Sequence, residues 1–422
     1  MSGSRPRAWR PILEGSLAQR ASQAVEAIAA DLSDPERLGS ANHSLALGDA
    51  GLALLFGYLA EAFPSSGYDE ISGRYLDRSI ESVAARSVSA SLYPGFTGVA
   101  WTIEHLSRRG ETPEEDPNEA IDELLQPLLE RTPWTGPVDL TGGLVGICVY
   151  LRERSPRPVA ASCLASAVDR LQELSESSEA GIAWKVRAPF LTLATAQQCP
   201  HGYFDLGVAH GVPGVISTLA CACAAGTNEA KARPLLDGAL HWLWMQGVPD
   251  ATLSTFPPAV ARELAARSSR FAWCYGDPGI AAVLLDAARN LEEPELERKA
   301  IALGRQAATR PAQHSGVVDA ALCHGAAGLG HIFNRMFQHS GDSAFEDAAQ
   351  RWLTRALDLR RPGEGFGGYR AAENRPGGGI DWVDNPSLLT GAAGIALALL
   401  AATSAIEPAW DRVFLLSSRN SV

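Results

Sequence analysis

The sequence predicts an all-α protein: a seven-fold α/α toroid, a double ring of seven inner and seven outer helices, in one domain spanning residues 1–422. Three observations carry the prediction. A Gly-x-x-Gly pair stands before an apolar run seven times, beginning at Gly48, Gly95, Gly143, Gly211, Gly276, Gly325 and Gly391. The run after each pair carries almost no charge, and the stretch before it is amphipathic. The first and last runs are as apolar as the middle ones.

Taken in order, Leu17 to Leu32 has apolar residues at three- and four-residue steps with charges between, which reads as an outer helix. Leu52-Ala53-Leu54-Leu55-Phe56 follows Gly48 and reads as a helix buried all round. Tyr75 to Val88 repeats the outer pattern before Gly95, and Ala344 to Leu359 does so before Gly391. Ile395-Ala396-Leu397-Ala398-Leu399-Leu400 closes the series. An open solenoid needs polar faces on its terminal repeats. Closure into a ring removes that need, so the toroid is preferred to an open superhelix. Glycine at each inner-helix start permits close backbone approach.

Composition fits one large core: 46% of residues are hydrophobic and 20% charged. No apolar stretch is long and isolated enough to span a bilayer, which takes about 20 residues. Met1 to Arg10 is basic but lacks an apolar core, so it does not read as a secretory signal. The expected location is cytoplasmic. A net charge of −12 argues against nucleic acid as a partner.

Seven cysteines in such a chain do not suggest a disulfide framework. Cys148, Cys221 and Cys223 fall in apolar helices, where free cysteine packs as a small hydrophobe. Cys163 lies on an amphipathic helix and Cys199 in a loop. Cys274 and Cys323 differ from these five: each stands two residues before the first glycine of its repeat, in consecutive repeats. Neighbouring repeats of a toroid place these thiols side by side, with His324 one residue further on. Two thiolates and one imidazole form a Cys₂His set, and three protein ligands with an open fourth position is the pattern of catalytic zinc. The alternative is that Cys274 packs and Cys323-His324 is incidental. His210 occupies in the fourth repeat the position of His324 in the sixth. It reads as a fourth ligand, a structural histidine, or a general acid/base; its separation from the ligands favours the last.

The motifs Gly207-Val-Ala-His210-Gly-Val-Pro-Gly214, Trp273-Cys274-Tyr-Gly-Asp-Pro-Gly279 and Cys323-His324-Gly-Ala-Ala-Gly328 resemble the signature of the LanC family of lanthipeptide cyclases. Ser387-Leu-Leu-Thr-Gly-Ala-Ala-Gly394 and Trp410-Asp411 are similar to it as well, so the resemblance covers nearly the whole chain. It implies a seven-fold toroid holding one zinc ion per chain through Cys274, Cys323 and His324. It also implies a reaction. Peptide cysteine thiols add across dehydroalanine and dehydrobutyrine in a dehydrated precursor peptide with its leader, closing lanthionine and methyllanthionine rings. The open zinc position would receive the thiol, and His210 matches the histidine proposed to protonate the resulting enolate.

The resemblance adds three residues. Asp139, four residues before Gly143, could orient His210, or could cap a helix. Arg270, four before Cys274, could stabilise the enolate, or form a rim ion pair. Tyr275 could shape the site, or simply pack. His331 reads as a core histidine and Asp277 as a helix cap. The repeats ending at Gly211, Gly276 and Gly391 are the long ones, with surplus at about 178–208, 245–272 and 361–389. Proline, glycine and aromatic residues mark these as irregular loops that wall a peptide groove. The β-rich insertion of some family members has no alternating stretch to match it. No kinase-like or lyase-like segment is seen, so dehydration is expected from a separate dehydratase. A transporter is the other expected partner, with peripheral association at a membrane complex. Two other functions remain open from sequence: an enzyme joining glutathione to dehydro-amino acids, and a zinc-stabilised binding scaffold.

Overall fold

The computed structural model describes residues 8–109, 115–248, 253–265, 267–375 and 377–419. Residues 1–7 of the basic start, 249–252 and 266 of the second expected loop, and 376 of the third lie outside them.

Among the described residues, amphipathic and apolar helices alternate seven times. The amphipathic ones are α1 (Gly15–Leu32), α3 (Tyr68–Ala84), α5 (Glu119–Glu130), α7 (Pro158–Leu174), α10 (Glu229–Met245), α12 (Pro294–Ala308) and α14 (Ser343–Asp358). The apolar ones are α2 (Asp49–Ala62), α4 (Phe96–Ser107), α6 (Leu144–Glu153), α9 (Val212–Ala224), α11 (Asp277–Asn290), α13 (Ala326–Ser340) and α15 (Ala392–Thr403). A short extra helix, α8, covers Leu193–Gln198. Helix α14 shows the first kind. Asp342 caps it by accepting the Ala344 N–H at 3.0 Å, and Phe345, Ala348, Ala349, Trp352, Leu353, Ala356 and Leu357 form its one buried stripe. Helix α15 shows the second: every residue from Ala392 to Ala402 is buried.

No side chain caps the apolar helices; the glycine before each one does the turning. The chain doubles back so tightly that the carbonyl six residues earlier lies against the glycine. A Cβ on Gly211 would stand 2.2 Å from the Asp205 carbonyl oxygen, and one on Gly328 1.8 Å from that of Leu322. Close approach rather than a left-handed backbone explains most of the motif. At Gly276 both apply, with φ +106° and the Arg270 carbonyl 2.0 Å from an added Cβ. Two alanine substitutions separate these causes. Gly328→Ala is expected to lower stability by about 1–3 kcal/mol, because backbone must move to admit the methyl. Gly73→Ala, inside α3 with nothing within 4 Å, is expected to raise it by about 0.4–1 kcal/mol. Chemical-denaturation midpoints check both.

The chain packs as two compact units, one of residues up to 88 with 304–410, the other of 89–303 with 411 onward. In the first, α13 lies on α14, α2 on α3, and α1 on α15; the apolar helices pack in the order α13, α15, α2. The last apolar helix therefore touches the first, a contact that closure requires and an open superhelix lacks. In the second, α4, α6, α9 and α11 pack successively, with α7 and α10 outside them. The C-terminal segment enters this core: Trp273 Nε1 donates to the Phe414 carbonyl at 2.8 Å, and the Tyr93 hydroxyl to that of Val413 at 3.0 Å.

The long connections differ from the irregular loops expected. The first carries a hairpin of β1 (Glu176–Ser178) and β2 (Gly181–Ala183), then β3 (Lys185–Val186) and β4 (Tyr203–Asp205). These last two join β5 (Ala259–Val260), from the second connection, in an antiparallel sheet ordered β3-β4-β5. The third holds the hairpin β6 (Ala371–Asn374) and β7 (Ile380–Val383). Strands of two to four residues are too short to show an alternation in sequence. No helix among the described residues is long and apolar enough to cross a membrane.

Candidate active site

The turns that precede the apolar helices are stitched together through the residue two before each glycine. Tyr93 N–H donates to the Thr141 carbonyl at 3.1 Å and Ala209 N–H to that of Cys274 at 3.5 Å. In the other unit Cys323 N–H donates to the Leu389 carbonyl and Leu389 N–H to that of Ala46, both at 2.9 Å. Within each unit the sequence register of the repeat is thus a register of hydrogen-bonded turns, and one step before the glycines stand Pro94, Gly142, His210 and Tyr275 in the second unit and Leu47, His324 and Thr390 in the first. Three of these, His210, Tyr275 and His324, are among the residues singled out for chemistry.

Cys274, Cys323 and His324 form a group that could hold a metal ion: their ligand atoms all lie within 4.8 Å of one another. Two thiols and one imidazole suit zinc, and three protein donors leave a fourth tetrahedral position free. The remaining cysteines are free thiols with other surroundings. Burial pushes the Cys148 thiol up to about 12 and those of Cys163 and Cys223 to about 11, so at neutral pH they stay protonated and pack.

His210 is 41% exposed, and its Nδ1 lies 3.2 Å from Asp139 Oδ2. Asp139 does two jobs at once. Its Oδ1 accepts the Gly142 N–H at 2.7 Å and the Thr141 hydroxyl at 3.1 Å, which holds the turn; its Oδ2 faces the imidazole. The cap and the orienting contact are therefore compatible. Burial works against a charge on His210, but Asp139 outweighs it, followed by Asp205 and Cys274, and the imidazole pKa rises above its ordinary 6.5. A group so raised keeps its proton to higher pH than an ordinary imidazole and loses it only above the raised value. If protonated His210 is a proton donor here, the rate of the step it serves falls on the alkaline side of that pKa. Asp139→Asn removes the leading cause, so the alkaline limb of the rate profile is expected to move to lower pH. An unmoved limb would separate His210 from the proton transfer.

His210, Asp139 and Tyr275 line one cavity of about 330 Å³. The first long connection lines it with Trp184, Lys185, Val186, Arg187, Phe190 and Tyr203. Arg270 is exposed, and no carboxylate among the described residues pairs with it. His331 is a core residue, stacked on Trp410 with ring centroids 4.5 Å apart. Asp277, in the first turn of α11, reaches across to the second connection. It accepts the N–H groups of Thr255 at 2.6 Å and Phe256 at 3.2 Å, because Gly276 already makes the turn and the carboxylate faces the second connection.

Sequence reasoning missed Asp205. It is 1% exposed, its Oδ1 accepts the Gly207 N–H at 2.7 Å, and its Oδ2 accepts the Tyr275 hydroxyl at 2.8 Å. Burial raises its pKa to about 6, against those two hydrogen bonds. The available signal was its repeat position, six before the glycine, where Asn42, Asp319 and Asn385 also stand.

Residues 39–415 match the family of Lanthionine synthetase C-like proteins, and the chain belongs to that family. The nisin biosynthesis protein NisC of Lactococcus lactis subsp. lactis is 26% identical over 309 residues, covering 68% of this chain and 72% of that protein. The solved structure of nisin cyclase superposes with a TM-score of 0.74 at 19% identity, covering 96% of this chain and 98% of that one. At that identity the likeness shows the fold, the LanC-type helical toroid that the repeat predicts.

Proposed function

We propose that this protein is a zinc-dependent lanthipeptide cyclase, which adds cysteine thiols of a dehydrated precursor peptide to its dehydroalanine and dehydrobutyrine residues. The observation that carries the reading is the Cys274, Cys323 and His324 group in a chain of the lanthionine synthetase C-like family. Both named relatives are nisin proteins, which favours the cyclase over joining of glutathione.

The three donors would hold the zinc, and when bound it would lower the pKa of an incoming thiol so that a thiolate exists at neutral pH. The rest falls to side chains. As the S–Cβ bond forms, the alkene π pair moves to Cα and onto the adjacent carbonyl, giving an enolate. Arg270, exposed and paired with no carboxylate among the described residues, is suited to face that oxygen. Protonated His210, oriented by Asp139, delivers a proton to Cα and is restored by the proton the thiol gave up. The cavity wall from Trp184 to Phe190 and Tyr203 holds the peptide and excludes water. In this reading residues 1–422 work as one domain, in the cytoplasm, on peptide supplied by a separate dehydratase and passed on to a transporter.

Ring closure leaves peptide mass unchanged and removes a free thiol. The test is to incubate the zinc-loaded protein with a dehydrated, cysteine-containing precursor and then alkylate. Protection of the cysteines, with the unmodified mass retained, is expected. Cysteines that alkylate as fully as in the no-enzyme control overturn the reading, and a glutathione adduct replaces it with the alternative.

A further inference from the structure

The Asp205 carboxylate is more than its turn requires. At the same repeat position Asn42 accepts the Ser44 N–H at 3.1 Å and Asn385 the Ser387 N–H at 2.9 Å, making the same two-residue turn with a neutral amide. Asp319 makes it too, and its second oxygen accepts the backbone N–H of Ala372 at 3.0 Å. A buried carboxylate is costly compared with an amide of the same shape. At position 205 that charge goes to one additional partner, the hydroxyl of Tyr275, on a residue that lines the cavity shared with His210. Asp205 itself does not line the cavity.

We infer that Asp205 is a positioning residue that sets the polarity of Tyr275: it takes the phenol proton in a hydrogen bond, so the Tyr275 oxygen meets the substrate as an acceptor only. An ionised carboxylate has no proton to give, so the hydroxyl must donate. The phenol therefore receives an N–H or S–H of the peptide and orients it, and His210 is left as the proton donor of the cavity. The roles of the two side chains that share this wall are separated by a residue behind it. The inference rests on the cyclase reading for the identity of the substrate and not for the state of the phenol.

Asp205→Asn tests it without breaking the turn. The amide oxygen must still accept the Gly207 N–H, as asparagine does at 42 and 385, so the amide N–H₂ is forced toward Tyr275. The polarity reverses: the amide donates to the phenol oxygen, and the phenol proton turns to the cavity. Ring closure is expected to fall about ten-fold, the worth of one hydrogen bond to a charged group. Tyr275→Phe should fall similarly, and the double variant no further than Tyr275→Phe alone. Zinc content and unfolding midpoint should match the parent. A readout without substrate accompanies these: the tyrosine Fermi doublet in ultraviolet resonance Raman spectra, taken as the difference from Tyr275→Phe. It should report a strong donor in the parent and an acceptor in Asp205→Asn. A parent-like doublet in Asp205→Asn overturns the inference whatever the activity. So does full ring closure by that variant, or losses that add in the double variant. If the parent closes no rings yet the doublet reverses, the cyclase reading fails and the assignment of Tyr275 stands.

Discussion

Replacing Cys274 and Cys323 together by alanine is expected to strip the purified protein of zinc and to end ring closure, with helix content unchanged. The thiols are the two anionic donors of the group, and one imidazole alone does not hold zinc against water and chelators. The helices bury large apolar faces of their own: α15 from Ala392 to Ala402, α11 from Asp277 to Ala288. Folding therefore does not depend on the ion as it does in a zinc finger. Elemental analysis should fall from about one zinc per chain to background, while far-ultraviolet circular dichroism stays at the parent value. Full zinc occupancy in the double variant would remove the metal assignment altogether. His324→Ala should follow the same course.

His210→Ala is expected to reduce ring closure by about 10²- to 10⁴-fold, the usual worth of one positioned acid/base group, and to leave zinc in place. The geometry gives the reason. His210 is held through Nδ1 by Asp139, and it lies outside the set of ligand atoms within 4.8 Å of one another. Loss of zinc as complete as in His324→Ala would instead make it a fourth ligand, and the site a closed, structural one. Measuring zinc and rate on the same sample separates the two outcomes. Asp139→Asn should fall between the parent and His210→Ala, since it disturbs the donor's orientation and proton affinity without removing the ring.

Much of the site was legible in the sequence because the fold is a repeat. Repeat position is a spatial coordinate here, so Cys274 and Cys323, two residues before their glycines, could be placed together without a structure. His210, Tyr275 and His324 are marked out in the same way, each one residue before its glycine. The alternation of amphipathic and apolar runs was equally plain, since each of these fourteen helices is long enough for its buried face to repeat and be counted. The short sheets were not legible: β3 and β5 have two residues each, and their partners lie far along the chain.

The sequence by itself determined the number and kind of the alternating helices and the positions where the chain must turn, and it singled out Cys274, Cys323 and His324 as metal-type donors. These follow from local periodicity, from glycine where a Cβ would strike a carbonyl, and from the matched positions of Cys274 and Cys323 in consecutive repeats. Tertiary structure alone decided what each carboxylate does. Asp139 holds a turn and faces His210, Asp277 reaches the second connection, and Asp205 accepts the Tyr275 hydroxyl's hydrogen bond from behind the wall. A carboxylate has two oxygens and no directional mark in sequence. Its partner is fixed only when burial removes water and leaves it the donors that distant segments happen to bring.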